Sequence, residues 1–218
     1  MTVQLPIPDF AAARRAMIKN QLRPEGVTDV GVLEAMAMVP REQFLPEETR
    51  PLAYSDRSLA IGGGRFLAAP AVLGRLLTEM TPVAGERALV IGAATGYSAA
   101  VLAAMGCDVT ALESAAELAD RARELGLKVI DGMLEAGHQD GAPFGLVLID
   151  GAVEYLPDAI VDQLGDGGRL GAALIDRGLT RLIVGQKIAG AFGYRSVADA
   201  GVAPLPGFSR PRAFTFER

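Results

Sequence analysis

The spacing of apolar residues along the chain changes character near Ala88. Upstream of that point apolar positions recur at helical intervals. Residues 10–22, FAAARRAMIKNQL, read as a helix that Pro24 ends, because a proline ring cannot continue the hydrogen-bond ladder. Thr28 is placed to cap a second helix with the apolar stripe Val32, Leu33, Met36 and Val39, and Pro40 stops it. Residues 40–69, rich in Pro and Gly, read as a structured loop region, and Pro70 opens a third helix through about Met80. Downstream of Ala88 short apolar runs alternate with amphipathic ones. Strands are predicted at 87–91, 108–112, 128–130, 144–149, 168–174, 180–187 and 212–217, with helices at 97–105, 114–125 and 157–164. This alternation predicts an α/β fold, a doubly wound and mostly parallel sheet with helices on both faces.

Such sheets bind ligands outside the carboxyl ends of their strands. Gly92, Glu113, Asp131 and Asp150 all fall at predicted strand ends, on one rim. The stretch Arg87–Ala100, RALVIGAATGYSAA, runs from an apolar strand through a small-residue turn into a helix, whose unpaired N–H groups favour a ligand's polar end. Glu113 stands roughly 20 positions after Gly92, the separation at which an acid takes the hydroxyls of a ribose. The turn reads G-x-A-x-G (Gly92, Ala94, Gly96) with Tyr97 next, closer to the G-x-G-x-G of S-adenosylmethionine-dependent methyltransferases than to a dinucleotide fingerprint. No phosphate-loop motif occurs. The small residues also suit close helix–sheet packing with no ligand at all.

Composition narrows the class. Among 218 residues half are hydrophobic and 22% charged, as expected of a globular core. A net charge of −5 disfavours general nucleic-acid binding. Cys107 is the single cysteine, so no intrachain disulfide forms, and its place in an apolar run marks a core residue. The N-terminus lacks a basic segment followed by an apolar run, and no stretch is apolar enough to span a membrane. A cytoplasmic enzyme with no nucleic-acid or membrane partner is expected. His138, the lone histidine, lies in a polar glycine-rich stretch and is expected in a surface loop.

Several segments together resemble the protein-L-isoaspartate (D-aspartate) O-methyltransferase family. They are VPREQF (Val39–Phe44), AYSD (Ala53–Asp56), LAIGGG (Leu59–Gly64), IGAATGY (Ile91–Tyr97), Glu113, Asp131–Gly132 and DQLGDGGRL (Asp162–Leu170). The resemblance covers roughly residues 14–175. It implies a Rossmann-like methyltransferase core over residues 81–218 and N-terminal helices with a substrate-side cap over residues 1–80, in one integrated domain. It implies S-adenosylmethionine as cofactor and a peptide or protein carrying isoaspartate as substrate. Gly92, Ala93, Ala94, Thr95, Gly96 and Tyr97 would then lie along the methionine part of the cofactor, Glu113 at its ribose, and Asp131 and Gly132 at its adenine. Tyr54 and Asp56 would belong to the substrate side. An isoaspartyl carboxylate, ionised at neutral pH, attacks a sulfonium methyl without a general base.

The chain departs from the family pattern at several positions. Phe66-Leu67-Ala68-Ala69-Pro70 stands where the family has Thr-Ile-Ser-x-Pro, so Ala68 occupies the place of a serine beside the reacting groups. Val90 replaces an acid before the first glycine, Ala94 replaces the middle glycine, and Gly145 stands for an Asp. These changes keep two alternatives open: a divergent methyltransferase acting on another nucleophile, and a binding module on a retired catalytic scaffold.

Overall fold

The computed structural model describes residues 9–210. Helix α1 (Phe10–Met17) is capped by the Asp9 carboxylate, which accepts from the Ala12 N–H at 2.9 Å, and it continues into a π-helical turn over Ile18–Leu22. Helix α2 (Val30–Met38) is capped by Asp29 and not by Thr28. The Asp29 carboxylate accepts from Val32 N–H at 2.9 Å, so the helix begins one residue later than expected. The expected loop region 40–69 contains more regular structure than its composition suggests. It holds two 3₁₀ turns (Arg41–Phe44 and Arg50–Leu52) and a hairpin of β1 (Leu59–Gly62) with β2 (Arg65–Leu67). Gly62, Gly63 and Gly64 make that hairpin's turn with φ of +102°, +57° and +71°.

Helix α3 (Pro70–Met80) begins on its proline as expected. There follow β3 (Arg87–Ile91), α4 (Tyr97–Ala104), β4 (Asp108–Glu113), α5 (Ala116–Glu124), β5 (Val129–Asp131), β6 (Phe144–Val153), α6 (Asp158–Asp162), β7 (Leu164–Asp176), β8 (Leu179–Ile188) and β9 (Ala191–Asp199). The seven-stranded sheet has the order β5-β4-β3-β6-β7-β8-β9. Its first five strands are parallel, and β8 and β9 are antiparallel additions. The expected α/β architecture is therefore present. Strand β9 was not anticipated, because exposed residues line most of it and leave no alternation to read. The expected strand 212–217 lies outside the described residues.

Successive residues of the central strands face opposite sides of the sheet. Ala88 and Val90 join a core with Met17, Met36, Leu77 and Val101, packing the N-terminal helices onto the sheet. Leu89 and Ile91 join a second core with Leu134, Ile160, Leu205 and Phe208. Cys107 is buried just before β4, and burial pushes its thiol pKa up to about 11. His138 is half-buried against Phe144, with ring centroids 6.3 Å apart.

Candidate active site

The chain leaves β3 through a turn held in left-handed backbone at Gly92, Ala94 and Gly96, with φ of +72°, +54° and +95°. Gly96 is fixed by packing. A Cβ there would lie 2.2 Å from the Leu127 side chain and 3.2 Å from that of Ala122. Ala94 keeps its methyl in a region that disfavours it by about 1–2 kcal/mol. Its backbone N–H donates to Glu113 at 2.7 Å, which holds the turn in place.

Glu113, at the end of β4, is fully buried. Its carboxylate accepts from the N–H groups of Ala94 (2.7 Å), Ser114 (2.9 Å) and Ala115 (3.0 Å), and from the Arg65 guanidinium (2.7 Å). Arg65 is itself buried, and its other nitrogen donates to the carbonyl of Gly92 at 2.7 Å. The guanidinium thus ties β2 to the ends of both β3 and β4. Arg65, Ser114 and Ala115 all donate to Oε1, whereas Oε2 accepts from Ala94 alone among the described residues.

On the other side of the turn β6 outruns β3. The two strands are in register as far as Ile91 opposite Ile149, after which the edge of β6 is free of its neighbour. Residues 203–208 take that edge. Ala152 N–H donates to Ala203 (2.9 Å), Leu205 N–H to Ala152 (2.7 Å) and Glu154 N–H to Phe208 (3.1 Å). The segment delivers Leu205 onto the glycines of the rim. A Cβ on Gly92 would come 2.7 Å from Leu205 and 3.1 Å from Arg65, and one on Gly151 would come 2.9 Å from Leu205. Between Arg65, Phe66, Ala68, Asp150 and Leu205 a void of about 10 Å³ remains. That is room for about one water molecule.

The N-terminal segments cover the rim from the sheet's first face. Thr95 donates its hydroxyl to the Phe44 carbonyl at 2.7 Å, and the rings of Phe44 and Tyr97 meet edge to face at 5.4 Å. Arg41 is almost fully buried, donates to the carbonyls of Ala53 (2.8 Å) and Ala68 (2.5 Å), and lies 4.8 Å over the Tyr97 ring. Burial lowers its pKa, although an arginine keeps its charge at any ordinary pH. The buried Tyr97 hydroxyl has no hydrogen-bond partner among the described residues, and burial raises its pKa. Asp150 accepts from Ser98 at 2.6 Å, and its pKa is raised by burial, against the pull of that bond and of Arg65 and Arg41.

The rim therefore gathers the turn 92–97, Glu113, Ala68 and Asp150. Other expected site residues have different company. Tyr54 belongs to a triad in which Arg14 donates to its hydroxyl (2.6 Å) and the hydroxyl donates to Glu42. Burial and the Glu42 bond raise its pKa. Asp56 is exposed and lines an adjoining hollow of about 300 Å³ with Arg57, Ser58, Ala69 and Arg75. Asp131 is exposed and ion-paired to Arg123, while the Gly132 N–H donates to the Glu113 carbonyl at 3.2 Å. Sequence reasoning did not find Arg65, Arg41 or Leu205. The only cue for Arg65 was a charge directly after three glycines, and its partner stands 48 positions away.

A parallel sheet with a glycine-rich turn after its first central strand, and an acid at the end of the next, places the chain in the Rossmann-like α/β class that binds nucleoside-containing cofactors. The family model for protein-L-isoaspartate (D-aspartate) O-methyltransferase matches residues 12–198. The chain is 36% identical over 214 residues to a protein-L-isoaspartate O-methyltransferase of Koribacter versatilis, covering 95% of this chain and 96% of the relative. It is 39% identical over 173 residues to one of Methylorubrum extorquens, covering 76% and 75%. A Plasmodium falciparum structure described as a protein-L-isoaspartate O-methyltransferase in complex with S-adenosyl-L-homocysteine superposes with a TM-score of 0.78 at 20% identity, covering 88% of this chain and 97% of that one. At that identity the superposition speaks for the fold. The chain belongs to the protein-L-isoaspartate (D-aspartate) O-methyltransferase family, and it is an S-adenosylmethionine-dependent methyltransferase.

The residues at the rim do not accommodate that cofactor in the arrangement just described. Glu113 Oε1 is already taken by Arg65 and two backbone N–H groups, Leu205 and Arg65 fill the approach to Gly92, and the void of about 10 Å³ is far below the roughly 300–1,000 Å³ of small-molecule sites.

Proposed function

We propose that this protein methylates the isoaspartyl carboxylate of damaged peptides and proteins. The observation that carries this reading is the family match over residues 12–198, which includes the N-terminal cap as well as the sheet. The cap supports it chemically. Arg41 is a buried cation with no carboxylate in ion-pair range among the described residues, and its guanidinium is fixed on the carbonyl of Ala68. It supplies positive potential where a substrate carboxylate would arrive. The adjoining hollow of about 300 Å³ beside Asp56, Ser58 and Arg75 reaches Ala69, next to Ala68, and offers room on the substrate side. Ala68 gives no hydroxyl to the substrate, which removes a hydrogen bond to a charged group worth about 1.5–3 kcal/mol and slows the reaction correspondingly. We place this activity in the cytoplasm; among the described residues no helix is long and apolar enough to cross a membrane.

The test is transfer of a radiolabelled methyl group to an isoaspartyl peptide, with the ordinary aspartyl peptide as control. A base-labile ester formed only on the isoaspartyl form supports the proposal. Absence of ester under conditions where cofactor binding is demonstrated would refute it.

A further inference from the structure

We propose that the chain holds its own cofactor cleft shut: Arg65 and the 203–208 segment occupy the adenosyl place, and the cofactor binds only once both withdraw. This rests on the methyltransferase reading and adds a gate to it. The two plugs come from distant parts of the sequence and meet over one glycine. Arg65 arrives on the hairpin and takes the Glu113 acceptor that a ribose would use. Leu205 arrives on the strand-like segment beside β6 and lies against Gly92 and Gly151. Each contact is specific. The guanidinium satisfies a carboxylate and a carbonyl at 2.7 Å each, and Leu205 and Phe208 are 3% and 1% exposed.

Both plugs are mounted where the backbone can move. The hairpin turns on three consecutive left-handed glycines, so Arg65 can swing out without disturbing the central sheet. The segment 203–208 is tied to the sheet by three backbone hydrogen bonds to residues 152–154, and Pro204 and Pro206 have no N–H to add to them. Withdrawal of Arg65 leaves Glu113 its three backbone donors and clears the guanidinium from the space between the carboxylate and Gly92, so that a ribose hydroxyl can reach the carboxylate. The apparent affinity of such a protein is its intrinsic affinity reduced by the fraction of molecules that are open.

The test is calorimetric titration of the full chain with S-adenosylhomocysteine, for the wild type, Arg65→Gln and Leu205→Gly. Folding of each variant is checked by far-ultraviolet circular dichroism; Arg65→Gln retains most of the packing should Leu205→Gly unfold. Each variant should bind about ten- to a hundred-fold more tightly than the wild type. In hydrogen exchange of the wild type, the amides of Leu205, Ala152 and Glu154, which donate the three bonds between the segment and β6, should lose protection when the ligand saturates. Equal affinity across the proteins with that protection retained overturns the gate alone. No binding by any of them overturns the cofactor reading and the gate together.

Discussion

Replacing Arg65 by Met tests the ion pair at the centre of the rim. The change keeps most of the aliphatic stem and removes the guanidinium. Two charge-assisted bonds disappear, to Glu113 and to the Gly92 carbonyl. Deleting one partner of a buried pair typically costs roughly 3–5 kcal/mol, because the other charge is stranded. Here Glu113 keeps three backbone N–H donors at 2.7–3.0 Å, which stabilise the remaining carboxylate. The expected loss is therefore at the low end, about 3 kcal/mol. With a urea dependence of about 3 kcal/mol per molar, the unfolding midpoint should fall by roughly 1 M. The chain has no tryptophan, so circular dichroism is the appropriate signal. The exposed Arg123–Asp131 pair is the control, and Arg123→Met should leave the midpoint essentially unchanged. A midpoint for Arg65→Met indistinguishable from wild type would show that the Arg65–Glu113 pair does not form in solution.

Two other substitutions follow from the same rim. Ala94→Gly relieves a left-handed alanine, worth about 1–2 kcal/mol less the entropy that glycine adds to the unfolded chain; scanning calorimetry should show a Tm higher by about 2 °C, and an unchanged or lower Tm would contradict the strain. Asp150 has its folded-state pKa raised by burial above the usual 3.8, so the native state keeps that proton longer than the unfolded chain does. The stability this confers is complete below that ordinary value and is lost as pH rises through the raised one. Asp150→Asn cannot titrate, so its stability relative to wild type should improve as pH rises from the ordinary 3.8 through the raised folded-state value in paired urea melts, and a difference independent of pH would refute the assignment.

The sheet was legible in the sequence because its central strands are runs of Val, Ile, Leu and Ala punctuated by small-residue turns. Strand positions such as Arg87–Ile91 and the carboxyl-end rim followed directly from that pattern. Helix α2 is capped at Asp29 because Thr28 and Asp29 compete for one capping role, and a carboxylate placed three residues before the Val32 N–H takes it. The hairpin at Leu59–Leu67 was hidden by its own shortness, since strands of four and three residues around glycines show no period. Glu113 was found through its distance from Gly92, yet its partner Arg65 was invisible. Nothing local to either residue encodes a contact 48 positions long. Leu205 was missed for a related reason: PLPGF reads as a chain finish, and its role depends on β6 outrunning β3.

Crystals of the full chain grown with S-adenosylhomocysteine would probe the closed cleft most directly. A gated methyltransferase predicts the ligand's ribose on Glu113, with Arg65 withdrawn and Leu205 displaced from Gly92. Ligand bound elsewhere, with the Arg65–Glu113 pair and the 203–208 segment unmoved, would contradict it.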